Sequence, residues 1–297
     1  MQTLTERTAW LAERRKGLGA SDAAAVVGLS PWRSPLSVFL DKTGRLPTPP
    51  MTTQQKWGLL LEPVLAEAYA EETGRTVFEP SPNLRHPEYS WMLANLDRLT
   101  ACGRVVELKT AGAFAGDEWG EPGTDQVPET YLVQVAHQMA VVDAAVADVA
   151  VLIGGQTFRI YTVERNDLLI DRIIRIEASF WQRVQRDEPP PIDWAHPQTP
   201  ALIEAMHAPT GESITLDEEC LELAREFLRL GEETGQAQEA RSILKARLLD
   251  RMAGASLGLL PDGSRITRKK VARKGYQVEP CEYHTFTIKQ PRTSEES

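Results

Sequence analysis

Cysteine is scarce in this sequence: Cys102, Cys220 and Cys281 are three scattered thiols in 297 residues, without CxxC spacing. That excludes a disulfide framework, a cysteine zinc site and a four-cysteine iron–sulfur cluster, and leaves reduced, structural thiols. The five histidines show no metal-ligand spacing either. No apolar run approaches the ~20 residues needed to cross a bilayer, and the N-terminal MQTLTERTAWLAERRKGLG lacks the apolar centre of a signal peptide. A cytoplasmic protein with no membrane partner is expected. Repeats and low-complexity tracts are absent too. So is a surplus of positive charge: 33 Lys and Arg against 42 Asp and Glu leave a net charge of −9. Such a field repels polyanions, which counts against tight static binding to nucleic acid more than against catalysis at a carboxylate-rich site.

What is present is an ordinary globular composition, 42% hydrophobic and 25% charged, in a chain long enough for one sizeable core and an appendage. The stretch GLGASDAAAVVGLSPW predicts a glycine turn, a helix cap at Ser21, a short Ala/Val helix and a stop from Gly28 to Pro31. LSVFLDKTG predicts a second short helix. TTQQKWGLLLEPVLAEAYAEETG predicts a longer one that closes on Gly74 and carries Glu62 despite Pro63. WMLANLDRL and RVVELKT alternate as strands and read as a hairpin across Cys102 and Gly103. Residues 111–127 form a long acidic, Gly-rich loop. PETYLVQVAHQMAVV is helical, VADVAVLI and FRIYTVE make a second strand pair, and a helix follows with apolar Leu169, Ile173, Ile176 and Phe180.

The proline run in EPPPIDW marks a linker, giving a main domain over 1–195 and a C-terminal region over 196–297. In the latter, residues 217–253 read as helix interrupted near Gly231 and Gly235. RITRKKVARKGYQVEP and HTFTIKQP read as a hairpin, and RTSEES as a disordered end. Arg265, Arg268, Lys269, Lys270, Arg273 and Lys274 form a basic segment without an acidic residue. It is a solvated hairpin face or a contact for DNA or a partner.

The sharpest constellation is Asp97 on one strand and Glu107-Leu108-Lys109 on the next. Strand side chains alternate, so Glu107 and Lys109 share a face, and pairing brings Asp97 to the same edge. Mg²⁺ takes carboxylate and carbonyl oxygens, which makes Asp97, Glu107 and the Leu108 carbonyl a candidate ligand set. A metal there polarises a phosphate, while Lys109 orients or deprotonates a water and offsets developing charge.

Asp97…Glu107-x-Lys109 resembles the D…(D/E)xK core of restriction-like nucleases, with Leu96 where that signature often has proline. The order RRKGLGASDAAAVVGLSPW, WGLLLEPVLAEAYAEETG, the core, then YLVQVAHQM is similar to the YqaJ-like viral recombinases and lambda exonuclease, over roughly Trp10 to Val163. The resemblance implies an α/β fold with a restriction-endonuclease-like core, a mixed central sheet flanked by helices. It implies a Mg²⁺-dependent exonuclease, with Mn²⁺ substituting, in a bacterial or phage-infected cell. Such an enzyme degrades one strand of linear duplex DNA from its 5′ end and leaves a 3′ overhang for a single-strand annealing protein. Related exonucleases form a homotrimeric ring.

By the same resemblance Glu62 supports the metal through water or a second ion, Gln134 stands near the scissile phosphate, and Arg14 with Ser21 binds the 5′ phosphate. A helix N-terminus and a bidentate guanidinium both suit an anion, although Ser21 also reads simply as a cap. His137 reads as a packed or surface imidazole and Trp32 as core, with base stacking the alternative for the tryptophan. An endonuclease, a CRISPR-adaptation-like nuclease (disfavoured by the missing cysteine cluster) and a non-catalytic DNA-end-binding recombination scaffold are the competing readings.

Overall fold

The computed structural model describes residues 12–46, 51–207, 213, 215, 217–252, 256–259 and 265–267. It divides into two compact units, Met1–Pro209 and Thr210–Ser297.

The first unit is built on a five-stranded mixed sheet. Its strands, in spatial order, are β2 (Val77–Phe78), β5 (Arg98–Thr100), β6 (Val105–Ala111), β7 (Val146–Ile153) and β8 (Thr157–Glu164). Only the β6–β7 pair is parallel. A parallel neighbour requires a crossover, and here helix α4 (Glu129–Val142) lies in that connection. A smaller sheet orders β1 (Leu18–Gly19), β4 (Met92–Ala94) and β3 (Leu84–Arg85). WMLANLDRL is therefore not one strand. It divides between the two sheets as β4 and β5, and Asp97 lies in the bend joining them.

Alternation along β6 feeds two cores. Val106 and Leu108 pack with Leu65, Ala66 and Tyr69 of α3 (Thr53–Thr73), while Val105 packs with Val133, Ala136 and Met139 of α4. Helix α3 starts on a reciprocal Thr52–Gln55 cap and ends on Gly74 at φ 67°, a left-handed conformation that glycine adopts without Cβ strain. Pro63 is tolerated on its exposed side, where water can take up the Leu59 carbonyl that loses its bond. The acidic loop is tied to the sheet, since Gly123 N–H donates to Ile160 O at 2.8 Å, and Thr162 N–H to Thr124 O at 2.9 Å. It thereby covers part of the edge of β8.

Helix α1 (Ala20–Val26) is capped by Gly19, whose N–H donates to the Asp22 carboxylate at 3.2 Å, so Ser21 lies inside the first turn and is not the cap. Gly17 is required by close approach, since a Cβ there would lie 2.3 Å from the Trp91 carbonyl oxygen. Helix α2 (Pro35–Lys42) follows a loop in which Trp32 is 61% exposed, so this tryptophan is not core. In α5 (Asp167–Arg186) the inward positions are Ile170, Ile173, Glu177 and Phe180. Ile176 is exposed and the buried position one residue on belongs to a glutamate.

Helix α6 (Thr199–Met206) belongs to the first unit, its Leu202 buried with Leu18, Leu36, Phe39 and Phe180. The unit thus ends at Pro209, beyond the proline run. In the second unit α7 (Glu218–Met252) is one uninterrupted helix through Gly231 and Gly235. Strand β10 (Arg265–Thr267) pairs with β9 (Leu257–Leu259), upstream of it. Arg268, Lys269, Lys270, Arg273 and Lys274 lie outside the described residues, as do HTFTIKQP and RTSEES. No helix among the described residues is long and apolar enough to cross a membrane.

Candidate metal centre and cationic pocket

Strand β6 presents Glu107 and Lys109 on the face toward α4, and the β5–β6 hairpin, with Arg98 opposite Val106, brings Asp97 alongside. Asp97 Oδ2 accepts the Leu108 N–H at 2.7 Å. On a strand a residue's N–H and C=O point to the same side, so the Leu108 carbonyl faces the Asp97 edge and not β7. Glu107 is 2% exposed. Its Oε1 accepts from Gln134 Nε2 at 2.6 Å and pairs with Lys109 Nζ, and its Oε2 accepts from Gln138 Nε2 at 2.6 Å. Gln138 was not among the residues the sequence pointed to, although it stands one helical turn beyond Gln134 on the same face.

Burial and the neighbouring Glu107 charge push the Asp97 carboxyl up to about 8, against the opposing pull of Lys109 and the Leu108 N–H, with Glu62 adding a smaller upward push. Burial alone would lower Lys109, but Glu107 and Asp97 outweigh it and hold the ammonium above its ordinary range. Lys109 also lies 5.0 Å from the centre of the Tyr131 ring, which stacks on Trp119. Glu62 stands one ion pair away: Arg98 Nη1 donates to Glu62 Oε1 at 2.7 Å and to the Asp97 carbonyl. No three His, Cys, Asp or Glu side chains among the described residues form a ready metal cluster. The donor set is thus two carboxylates and a backbone carbonyl. A carboxyl driven to hold a proton by burial and by a second carboxylate is a site a divalent cation would relieve, so these residues fit a hard metal ion.

Arg14 and Ser21 do come together, with Arg14 Nη2 donating to Ser21 Oγ at 2.9 Å. The pair belongs to a larger group in which the fully buried Asp22 binds Arg14 at 3.1 Å, Lys42 at 2.7 Å and Arg33. Asp41 adds contacts to Arg33 and Arg15 at 3.3 and 3.7 Å. Four cations therefore meet two carboxylates. Burial would raise Asp22, yet Lys42, Arg14 and Arg33 hold it well below the usual carboxylate range. Asp22, Arg33 and Lys42 were missed, although Asp22 directly follows Ser21.

His137 is fully buried, its Nδ1 2.8 Å from Glu177 Oε1 and its Nε2 2.9 Å from the Leu93 carbonyl, and it takes no part in the site. Of the basic segment only Arg265 falls within the described residues, on β10.

The mixed sheet and its flanking helices have the fold of the alkaline exonucleases. The alkaline exonuclease LHK-Exo of Laribacter hongkongensis superposes with a TM-score of 0.52 at 23% identity, over 61% of this chain and 94% of that one. Its complex with dAMP gives 0.50 at 22%, with the same coverage. Residues 9–145 match the YqaJ-like viral recombinase domain. An uncharacterized protein YqaJ of Bacillus subtilis strain 168 is 34% identical over 261 residues, 86% of this chain and 81% of that protein. This chain belongs to the YqaJ-like viral recombinase family.

Proposed function

We propose that the protein is a divalent-metal-dependent exonuclease that degrades one strand of linear duplex DNA from a 5′ end, leaving a 3′ overhang for a single-strand annealing protein. The observation that carries this reading is the convergence of Asp97 and Glu107, with the Leu108 carbonyl between them and a protonated Lys109 beside them. Asp97, Glu107 and the Leu108 carbonyl would hold Mg²⁺, or Mn²⁺ in its place, with Glu62 acting through water. The metal supplies polarisation of the scissile phosphate and acidification of a bound water. Lys109 orients or deprotonates that water and offsets charge on the phosphate. Gln134, partly exposed and bonded to Glu107, would stand near the scissile phosphate. Arg14 and Ser21 grip the 5′ phosphate, with Arg33 in the same cationic group. Arg265 and the basic residues after it are assigned to DNA or partner contact. A homo-oligomeric ring would keep so acidic a chain on its substrate. The alkaline exonuclease that shares this fold has been solved with dAMP, which supports a DNA substrate.

The test is digestion of end-labelled linear and closed circular duplexes bearing 5′ phosphate or 5′ hydroxyl, with Mg²⁺ or chelator. Metal-dependent loss of the 5′-phosphorylated strand from linear DNA alone is expected. Cutting of circles would replace this reading with an endonuclease, and no cutting with a binding scaffold.

A further inference from the structure

The three groups that donate to Glu107 are not equivalent. Lys109 and Gln134 share Oε1, and both side chains are partly exposed at the open side of the site. Gln138 holds Oε2 at 2.6 Å from one helical turn deeper, where it has no exposure at all. Its own Oε1 is buried and finds no hydrogen-bond partner among the described residues. A buried amide oxygen without a partner opposes folding, and an apolar side chain of similar size would not carry that penalty. The amide's bond to Glu107 Oε2 is therefore the interaction that gives Gln138 a purpose at this position.

We propose that Gln138 is a positioning residue of the metal centre, pinning Glu107 Oε2 so that Oε1 is the oxygen presented to a divalent cation. The inference rests on the functional reading above. Lys109 and Gln134 can leave Oε1 when a cation takes its lone pair, and both then become available to the DNA. Gln138, enclosed on every side, stays. Outer groups of this kind set ligand orientation, and their loss weakens metal binding ~10–100-fold.

The experiment compares the full-length wild type with Gln138→Met, which is close in volume and apolar. Mn²⁺ affinity is measured by calorimetry, the melting temperature in chelator, and kcat and KM on 5′-phosphorylated linear duplex. Expected are a chelated melting temperature near that of wild type, Mn²⁺ binding weakened ~10–100-fold, and a fall in kcat with KM for DNA ends unchanged. Unchanged Mn²⁺ affinity in the folded variant overturns the proposal while leaving the nuclease reading intact. A wild type that binds no Mn²⁺ overturns both. Should Gln138→Met fail to fold, Gln138→Asn keeps an amide too short to reach Glu107, and undiminished Mn²⁺ affinity there overturns the proposal equally.

Discussion

The backbone N–H of Leu108 donates to Asp97 Oδ2 at 2.7 Å, so the strand that carries Glu107 and Lys109 also holds the opposing carboxylate in place. Two acidic groups are thereby fixed close together in a buried setting, and the protein without metal answers by keeping a proton on Asp97, whose pKa rises from 3.8 to about 8.

That shift has a sign in stability. Between about pH 4 and 8 the folded, metal-free chain holds a proton that the unfolded chain has released, so stability falls as pH rises through this window and levels off above it. Asp97→Asn removes the penalty. Its melting temperature in chelator is expected to exceed that of wild type by a margin that grows from pH 5 to pH 8. Cleavage by Asp97→Asn, Glu107→Gln or Lys109→Ala is expected to fall by on the order of 10²–10³-fold or more. A folded variant that cuts within a few-fold of wild type removes that residue from the site.

His137 gives a second pH dependence of different origin. Burial pulls its pKa down, but the Glu177 charge, the bond to Glu177 and the Leu93 carbonyl prevail and raise it above 6.5. Stability from this pair is full below pH 6.5 and is lost as pH climbs through the raised value. Glu177→Gln is expected to cost about 3–5 kcal/mol at pH 6 and clearly less at pH 9, read from denaturant melts. An equal cost at both values would mean that the imidazole does not change its charge between them.

Much of this was legible in the sequence because the signals are local. Alternation in RVVELKT put Glu107 and Lys109 on one face, and Gly74 marked a real helix end. What was not legible depends on partners distant in the chain. Asp22 is buried because Lys42, Arg14 and Arg33 converge on it, and Glu177 because His137 reaches it from another helix. Neither pairing leaves a periodic trace, so both carboxylates look like surface residues in the sequence. Trp32 erred the other way: an aromatic beside proline looked like core, and the loop turns it outward.

The boundary between the two units can be tested by truncation. Leu202 is 8% exposed in the cluster that holds Phe39 and Phe180, and Thr199 Oγ1 donates to Asp193 O at 2.6 Å. A chain ending at Pro209 is expected to melt near the wild-type temperature and to bind Mn²⁺. One ending at Gln198 loses the burial of Leu202, worth about 1.5–3 kcal/mol, and melts lower. If the two truncations melt alike, α6 is not part of the first unit's core.

The cationic group around Asp22 sets the most discriminating prediction, because it concerns the DNA end and not the metal. Asp22 keeps Lys42 and Arg33 whether or not Arg14 turns toward a phosphate, so Arg14 can exchange one anion for another without leaving a buried carboxylate unpaired. Ser21, bonded to Arg14 at 2.9 Å, adds a neutral donor beside it. An end without a 5′ phosphate forfeits these charge-assisted bonds, each worth about 1.5–3 kcal/mol, which slows initiation about tenfold or more. The wild type is expected to initiate faster on phosphorylated than on hydroxyl ends. Arg14→Ala is expected to lose most of that preference with Mn²⁺ binding intact, and Arg33→Ala part of it. Lys109→Ala should show the reverse pattern, favouring phosphorylated ends in binding yet failing to cut. Equal wild-type initiation on both ends would take the cationic group out of end recognition and leave Asp22 as the centre of a purely structural ion-pair cluster.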